Sequence, residues 1–357
     1  MAHTYSAESI AQKLHDLNLP FAGSFARALV ALLSGRKISL HHVAQLMPGE
    51  QNPEANRQQM RRCLDHQSMS PEAWTRAIAA LLPRTKWILA LDRTEWKRGD
   101  TSINLLVLAV VTHGCAVPLL WTVMPACGAS DTAERIELLS RFVRRFGTER
   151  LRFVTADREF KARERTCLGW EWISWLLEQQ IPFRIRIKAG EYLSDHQGVE
   201  RKAWQWFSRA RACRSQPMLL GGLSVYVGGR RLRDDQYLIV ISNEPGDLLA
   251  EYRHRWKIET LFQSLKGRGF ALESCRLEKR NRLSGWFGFL ALGLCWCLKV
   301  GRYLDEVDPL PLKKHGRRAV SVFVRGLCLL QWLLCCLAGR PDSQWFGYAI
   351  SQLEPVK

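Results

Sequence analysis

Apolar residues recur at helical spacing through residues 1 to 84, as in FARALVALLSGRK (Phe25 to Lys37), with polar and Pro/Gly breaks such as MPGEQNPEANRQQ (Met47 to Gln59). This pattern predicts a small helical N-terminal domain. Its segment ISLHHVAQLM (Ile38 to Met47) suits the first helix of a helix-turn-helix or one helix of a plain bundle. From Lys86 the period changes. KWILALDRTEW, INLLVLAVVTH and AVPLLWTVM are apolar runs of strand length with short breaks, the pattern of a three-stranded meander.

Next, SDTAERIELLSRFVRRFG (Ser130 to Gly147) carries Ser/Asp/Thr at its front and Gly at its end, the start and stop signals of a helix. LRFVTAD then reads as a strand, WEWISWLLEQQ as a helix, and PFRIRIKAG and YLIVISN as strands. PGDLLAEYRHRWKIETLFQSLKG (Pro245 to Gly267) reads as one long helix. Beyond Leu283, WFGFLALGLCWCL and AVSVFVRGLCLLQWLLCCLA predict packed helices. The first is too short to span a bilayer and the second is interrupted by Arg325 and Gln331.

Composition adds a partner. Lys and Arg number 52 against 34 acidic residues, a net +18 that points to a polyanion, nucleic acid foremost. Between Ala189 and Gln236 lie eight cations (Arg201, Lys202, Arg209, Arg211, Arg214, Arg230, Arg231, Arg233) interleaved with Trp204, Trp206, Phe207 and Tyr226. Such a mixture suits either a surface that follows a phosphate backbone and stacks bases, or an insertion with a small core of its own. The 11 cysteines include no C-x-x-C pair and read as buried reduced thiols. The first residues, MAHTYSAESIAQKL, have no basic region followed by an apolar stretch, so a cytoplasmic protein is expected.

Three carboxylates stand in apolar settings. Strand alternation puts Ile88, Ala90 and Asp92 on one side of a strand, and Phe153, Thr155 and Asp157 on one side of another. Either aspartate alone reads as a turn or ion-pair residue. On an ideal helix Tyr252, Arg255, Glu259 and Lys266 fall within about 60° of one another, beside the apolar face of Ile258, Leu261, Phe262 and Leu265. Glu259 at that margin could meet the two strand aspartates. Three converging carboxylates repel one another, and divalent cations with hard-oxygen preference, magnesium or manganese, are the natural remedy. Two such ions suit phosphoryl transfer on a polyanion. No G-x-x-x-x-G-K-[ST], H-E-x-x-H or G-x-S-x-G motif offers a competing chemistry.

These residues resemble a known family. Asp92 in LALDRTEWKRG, Asp157 in TADREF, and the spacing Tyr252-(2)-Arg255-(3)-Glu259-(6)-Lys266 are similar to the Asp, Asp, Glu triad and helix signature of bacterial DDE transposases of the insertion-sequence-four family. The resemblance covers roughly Ile88 to Lys266. It implies an α/β fold with a ribonuclease-H-like catalytic core (85 to 188 and 237 to 283) and a β-rich basic insertion (189 to 236). Flanking these would be an N-terminal helical DNA-binding domain (1 to 84) and a C-terminal helical region (284 to 357) able to dimerise.

The resemblance further implies that Asp92, Asp157 and Glu259 are catalytic and bind two Mg²⁺ ions, Mn²⁺ substituting. Tyr252, Arg255 and Lys266 would contact DNA phosphates, and Trp256 would wedge into the duplex during hairpin formation. Trp204 and Trp206 are candidates to stack an extruded base. The partners implied are transposon-end DNA with terminal inverted repeats, target DNA and a second copy of the chain, with no membrane. A nuclease of the same fold that does not integrate, and a DNA-binding regulator with structural carboxylates, are the alternatives. KARERTCLG (Lys161 to Gly169) is longer and more charged than the family pattern leads one to expect.

Overall fold

In the computed structural model, all residues are described except 1, 36–38, 99–100, 113, 125–131, 158–169, 209–212, 234–235, 268, 278, 315–317, 337–343 and 357. The helical spacing of the first residues folds as α1 (Ala2–Asp16), α2 (Ala22–Gly35), α3 (Leu40–Leu46), α4 (Pro53–Asp65) and α5 (Pro71–Ala80). Local chemistry sets their starts. The Ser39 and Asn52 side chains accept from the backbone N–H groups of His42 and Ala55, and Pro53 takes a first-turn position where its missing donor costs nothing.

The apolar runs that follow form the meander β1 (Trp87–Arg98), β2 (Thr101–Thr112) and β3 (Cys115–Val123). Then come α6 (Thr132–Phe146), β4 (Leu151–Ala156), α7 (Glu171–Glu178) and β5 (Phe183–Arg186). The Ser130 and Asp131 start signal for α6 and the unusual segment Lys161 to Gly169 lie outside the described residues. The basic stretch holds β6 (Tyr192–Ser194), β7 (Glu200–Lys202), the short α8 (Ala203–Trp206), β8 (Cys213–Leu220) and β9 (Leu223–Arg231), followed by β10 (Tyr237–Ser242).

All ten strands join one sheet in the order β3-β2-β1-β4-β5-β10-β9-β8-β6-β7. Strands β1, β4 and β5 are mutually parallel, and the other pairings are antiparallel. The strands of the basic stretch thus extend the same sheet beyond β10. Strand β2 is buried along most of its length, as expected for a strand covered on both faces.

The single long helix expected over Pro245 to Gly267 is instead broken. α9 (Leu248–Tyr252) gives way to a 3₁₀ turn at Arg253–Arg255, and α10 (Trp256–Leu265) follows. A 3₁₀ turn advances fewer residues per revolution than an α-helix, so positions before and after it are rotated relative to an ideal wheel. Tyr252 and Arg255 are both buried instead of lying on a half-exposed stripe.

The C-terminal helices are α11 (Arg280–Val307), α12 (Val322–Cys336) and α13 (Gln344–Ser351). Helix α11 extends well beyond the apolar run Trp286 to Leu298. At 28 residues it is long and apolar enough to cross a membrane by length and composition, yet 89% of its apolar window is buried inside the fold. It packs against α5, β3 and α12, and Trp121 on β3 donates its indole N–H to the Ser284 hydroxyl at 2.9 Å. Where α11 meets α12 the backbones touch. A Cβ on Gly301 would stand 1.9 Å from the Val322 carbonyl oxygen, and one on Gly326 would stand 1.8 Å from that of Cys297. Cys63, Cys115, Cys275, Cys295 and Cys297 are buried, whereas Cys328 and Cys335 are exposed.

Candidate active site

Strand register builds the first half of the site. The parallel pairing of β1 with β4 ends at Leu91 opposite Ala156, and the next residues are Asp92 and Asp157. The pairing of β4 with β5 ends at Ala156 opposite Ile185, and the next residue is Arg186. Three neighbouring parallel strands therefore deliver Asp92, Asp157 and Arg186 at one level, at the carboxyl end of the parallel segment where α/β sheets leave room for ligands. Asp92 is not at the end of its own strand, since β1 continues to Arg98 paired only with β2.

The second half comes from the helices across the sheet. Arg255, the last residue of the 3₁₀ turn, is only 6% exposed. Its guanidinium reaches Asp92 Oδ2 at 3.3 Å and Asp157 Oδ2 at 3.7 Å, and it holds Glu259 in a closer ion pair one helical turn on. All three sequence-selected carboxylates thus converge on one guanidinium. The Tyr252 hydroxyl donates to Asp157 Oδ1 at 3.3 Å, and Arg186 lies 3.9 Å from the same oxygen. The Arg93 N–H donates to Asp92 Oδ1 at 2.8 Å, fixing that carboxylate from its own strand.

Protonation follows from this geometry. Burial, with Asp157 adding to it and Arg255 and Arg186 opposing it, pushes the Tyr252 hydroxyl far above its ordinary value, so it stays a donor. Burial by itself lowers the Arg255 pKa, but Tyr252, Asp157, Asp92 and Glu259 outweigh it and hold the guanidinium above its usual value. The cation is locked in its charged form.

Lys266 and Trp256 stand elsewhere. Lys266 donates to the Glu95 carbonyl at 2.8 Å and pairs with Glu273 at 3.4 Å, tying the end of α10 to β1. Trp256, 62% exposed, projects its ring outward with the Arg255 guanidinium 5.8 Å from the ring centre. In the basic stretch, Trp206 is covered by Arg201 and donates to the Leu193 carbonyl, whereas Trp204 is exposed beside Tyr237.

Two arginines were not selected from the sequence. Arg184 and Arg186 alternate on β5, a spacing that places both on the face of the carboxylates. Arg184 is buried; it pairs closely with Glu251 on α9, donates to the Ser242 hydroxyl at 2.7 Å and reaches Glu244 at 3.3 Å. It thereby fixes α9, and with it Tyr252. The available signal was FRIR itself, cations at alternate positions of an otherwise apolar strand.

Three carboxylates of hard oxygen are a donor set that suits a divalent cation. Their spacing is at present set by Arg255, and among the described residues no group of three His, Cys, Asp or Glu side chains is arranged to hold a metal ion. The donor chemistry fits, on condition that the guanidinium withdraws.

No curated protein matches the chain in sequence. The family model for the transposase DDE domain matches residues 83–296, a span that begins just before β1, takes in the three carboxylates and Arg255, and ends within α11. As that match covers well over half of the 357 residues, the chain belongs to the transposase DDE domain family.

Proposed function

We propose that this transposase cuts its element out of DNA and joins it elsewhere, acting on terminal inverted repeats through the site formed by Asp92, Asp157 and Glu259. The observation that carries the reading is the meeting of these three carboxylates on one guanidinium at the carboxyl end of parallel strands. The strand order β3-β2-β1-β4-β5, with β4 and β5 parallel to β1, supports a ribonuclease-H-like core over 85 to 188 and 237 to 283. On this reading 1 to 84 binds DNA, 189 to 236 is the basic insertion and 284 to 357 is the dimer-forming region. The exposed Trp332 and Trp345 suit that last role. The protein works in the cytoplasm on chromosomal DNA.

Asp92, Asp157 and Glu259 are the residues to hold two Mg²⁺ ions, with Mn²⁺ able to substitute. When bound, the ions supply Lewis acidity to the phosphodiester. The chain's own residues do the remainder. Tyr252 orients Asp157, and Arg186 offsets part of the carboxylate charge. Arg255 leaves the carboxylates for a DNA phosphate when the end is seated. Lys266, at the edge of the site, approaches a second phosphate. A water nicks one strand, and the freed 3′-hydroxyl attacks the opposite strand to give a hairpin. Trp256, already exposed, wedges beside the extruded base. A second water reopens the hairpin, and the same hydroxyl attacks target DNA.

The test supplies a donor duplex cut from the DNA flanking the gene, with its inverted repeats, together with Mg²⁺ and a target plasmid. Joined product lost in Asp92→Asn, Asp157→Asn and Glu259→Gln supports the proposal. Cleavage without joining assigns a nuclease instead, and unchanged processing in all three variants assigns a non-catalytic role to the carboxylates.

A further inference from the structure

A second charged feature lies at the other end of β1. A concavity of about 570 Å³ is built from four separate segments and lined by five cations, Arg76, Arg84, Lys86, Arg145 and Arg150, against one acid, Glu149. Arg76 comes from α5, Arg84 and Lys86 from the segment entering β1, Arg145 from the last turn of α6, and Arg150 from the approach to β4. Lys86 precedes Asp92 by six residues of extended chain, so the cluster lies about 20 Å from the carboxylates. It is not an extension of the catalytic site.

The floor of the concavity is fixed. The Arg150 guanidinium lies 4.8 Å from the centre of the Trp87 ring and donates to the Arg84 carbonyl at 2.8 Å. Trp87 donates its indole N–H to the Pro83 carbonyl at 2.8 Å and its backbone N–H to the Arg150 carbonyl at 2.7 Å. The segment carrying Arg84 and Lys86 is thus pinned at both ends. The Glu149 carboxylate is folded back over Gly147, in the place a Cβ there would need. Above this floor Arg76, Arg84, Lys86 and Arg145 are exposed, and none of the four has a carboxylate partner among the described residues.

Unpaired cations spread over three segments suit an extended polyanion better than a small one, which would need donors aimed at a single point. A membrane surface fits poorly, because Trp87 is buried, Phe146 is half-buried and none of the described residues lining the concavity is an exposed large apolar side chain. Duplex DNA presents one charge per about 1.7 Å of axis and matches a spread of this kind. We propose that this concavity is a second duplex-binding surface that grips the phosphate backbone outside the catalytic centre. The proposal rests on the reading of the protein as one that acts on DNA.

The test uses the full chain and a labelled duplex of random sequence, titrated by fluorescence anisotropy over a salt series in EDTA. Each lost phosphate contact reduces the slope of log K against log salt by about 0.9. The triple variant Arg84→Gln, Lys86→Gln, Arg145→Gln should therefore lose about 2.7 from the slope and bind more than tenfold more weakly at low salt. In the wild-type chain, Lys86 should be shielded from acetylation by the duplex, a readout that decides the matter even if the triple variant fails to fold.

An unchanged slope, an unshielded Lys86, or shielding by anionic vesicles or an acidic protein but not by duplex overturns the proposal. The two readings separate cleanly. A reduced slope with Asp92→Asn still cleaving DNA keeps this surface and removes the catalytic reading, and the opposite pair of results does the reverse.

Discussion

Arg255→Ala is the perturbation that most directly probes the site. The guanidinium is nearly buried and is shared by Asp92, Asp157 and Glu259. Its removal leaves three carboxylates facing one another, with Arg186 still 3.9 Å from Asp157. Breaking a buried ion pair on one side costs about 3–5 kcal/mol. The carboxylates keep some contact with water, their side chains being 16% to 29% exposed, which places the cost at the lower end, about 3 kcal/mol. With an unfolding entropy of about 2.1 cal/mol/K per residue, a chain of 357 residues should then melt about 4 °C lower in EDTA.

Magnesium should recover most of that loss, because the vacated position suits a divalent cation. A ligand at 100 times its Kd contributes about 2.7 kcal/mol. The wild-type melting temperature should respond less, since there the ion must displace the guanidinium. Adding Asp92→Asn to Arg255→Ala should abolish the recovery. The assay is thermal melting by circular dichroism across a magnesium series. An unchanged midpoint for Arg255→Ala in EDTA, or equal magnesium responses in variant and wild type, refutes the reasoning.

Three further outcomes are expected. Gly326→Ala places a methyl against the Cys297 carbonyl and should cost about 3 kcal/mol, a melting point about 4 °C lower, whereas Gly23→Ala, which meets open space, should be close to neutral. Burial lowers the His254 pKa below its usual 6.5, with Arg152 and Lys257 acting in the same sense and Glu251 opposing. The unfolded chain therefore binds this proton more readily than the folded one, so stability is complete above pH 6.5 and falls as pH drops below it. Melts over that range should be flatter in His254→Gln. Finally, Trp256→Ala should change stability by less than about 0.5 kcal/mol, its ring being exposed, while slowing hairpin formation more than the first nick. Equal losses in both steps remove the wedge role.

Much of this architecture was legible in the order of residues, and the exceptions have physical causes. The meander, α6, β4, α7 and β5 follow from changes of apolar period and from helix start and stop residues, all of them local signals. The convergence of Asp92, Asp157 and Glu259 was legible because strand alternation and helix spacing each place one carboxylate against apolar neighbours. Arg255 was not legible as their counter-ion. An ideal helical wheel puts it at a wet margin, and the three-residue 3₁₀ turn that ends at it has no clear mark in YRHRWK. Arg184 and Arg186 escaped because strand cations read equally well as solvated. The concavity around Lys86 draws on four segments whose proximity only tertiary packing creates.

The shared level at which β1, β4 and β5 release Asp92, Asp157 and Arg186 makes the centre a matter of counting. Because a strand turns alternate residues to opposite sides, one residue added or removed within Leu151–Ala156 would swing Asp157 away from Arg255 without altering a single side chain of the site. Point substitutions around these strands should therefore be forgiven more readily than single-codon insertions or deletions. A deep mutational library containing both kinds of change should display that contrast most sharply in the six residues before Asp157.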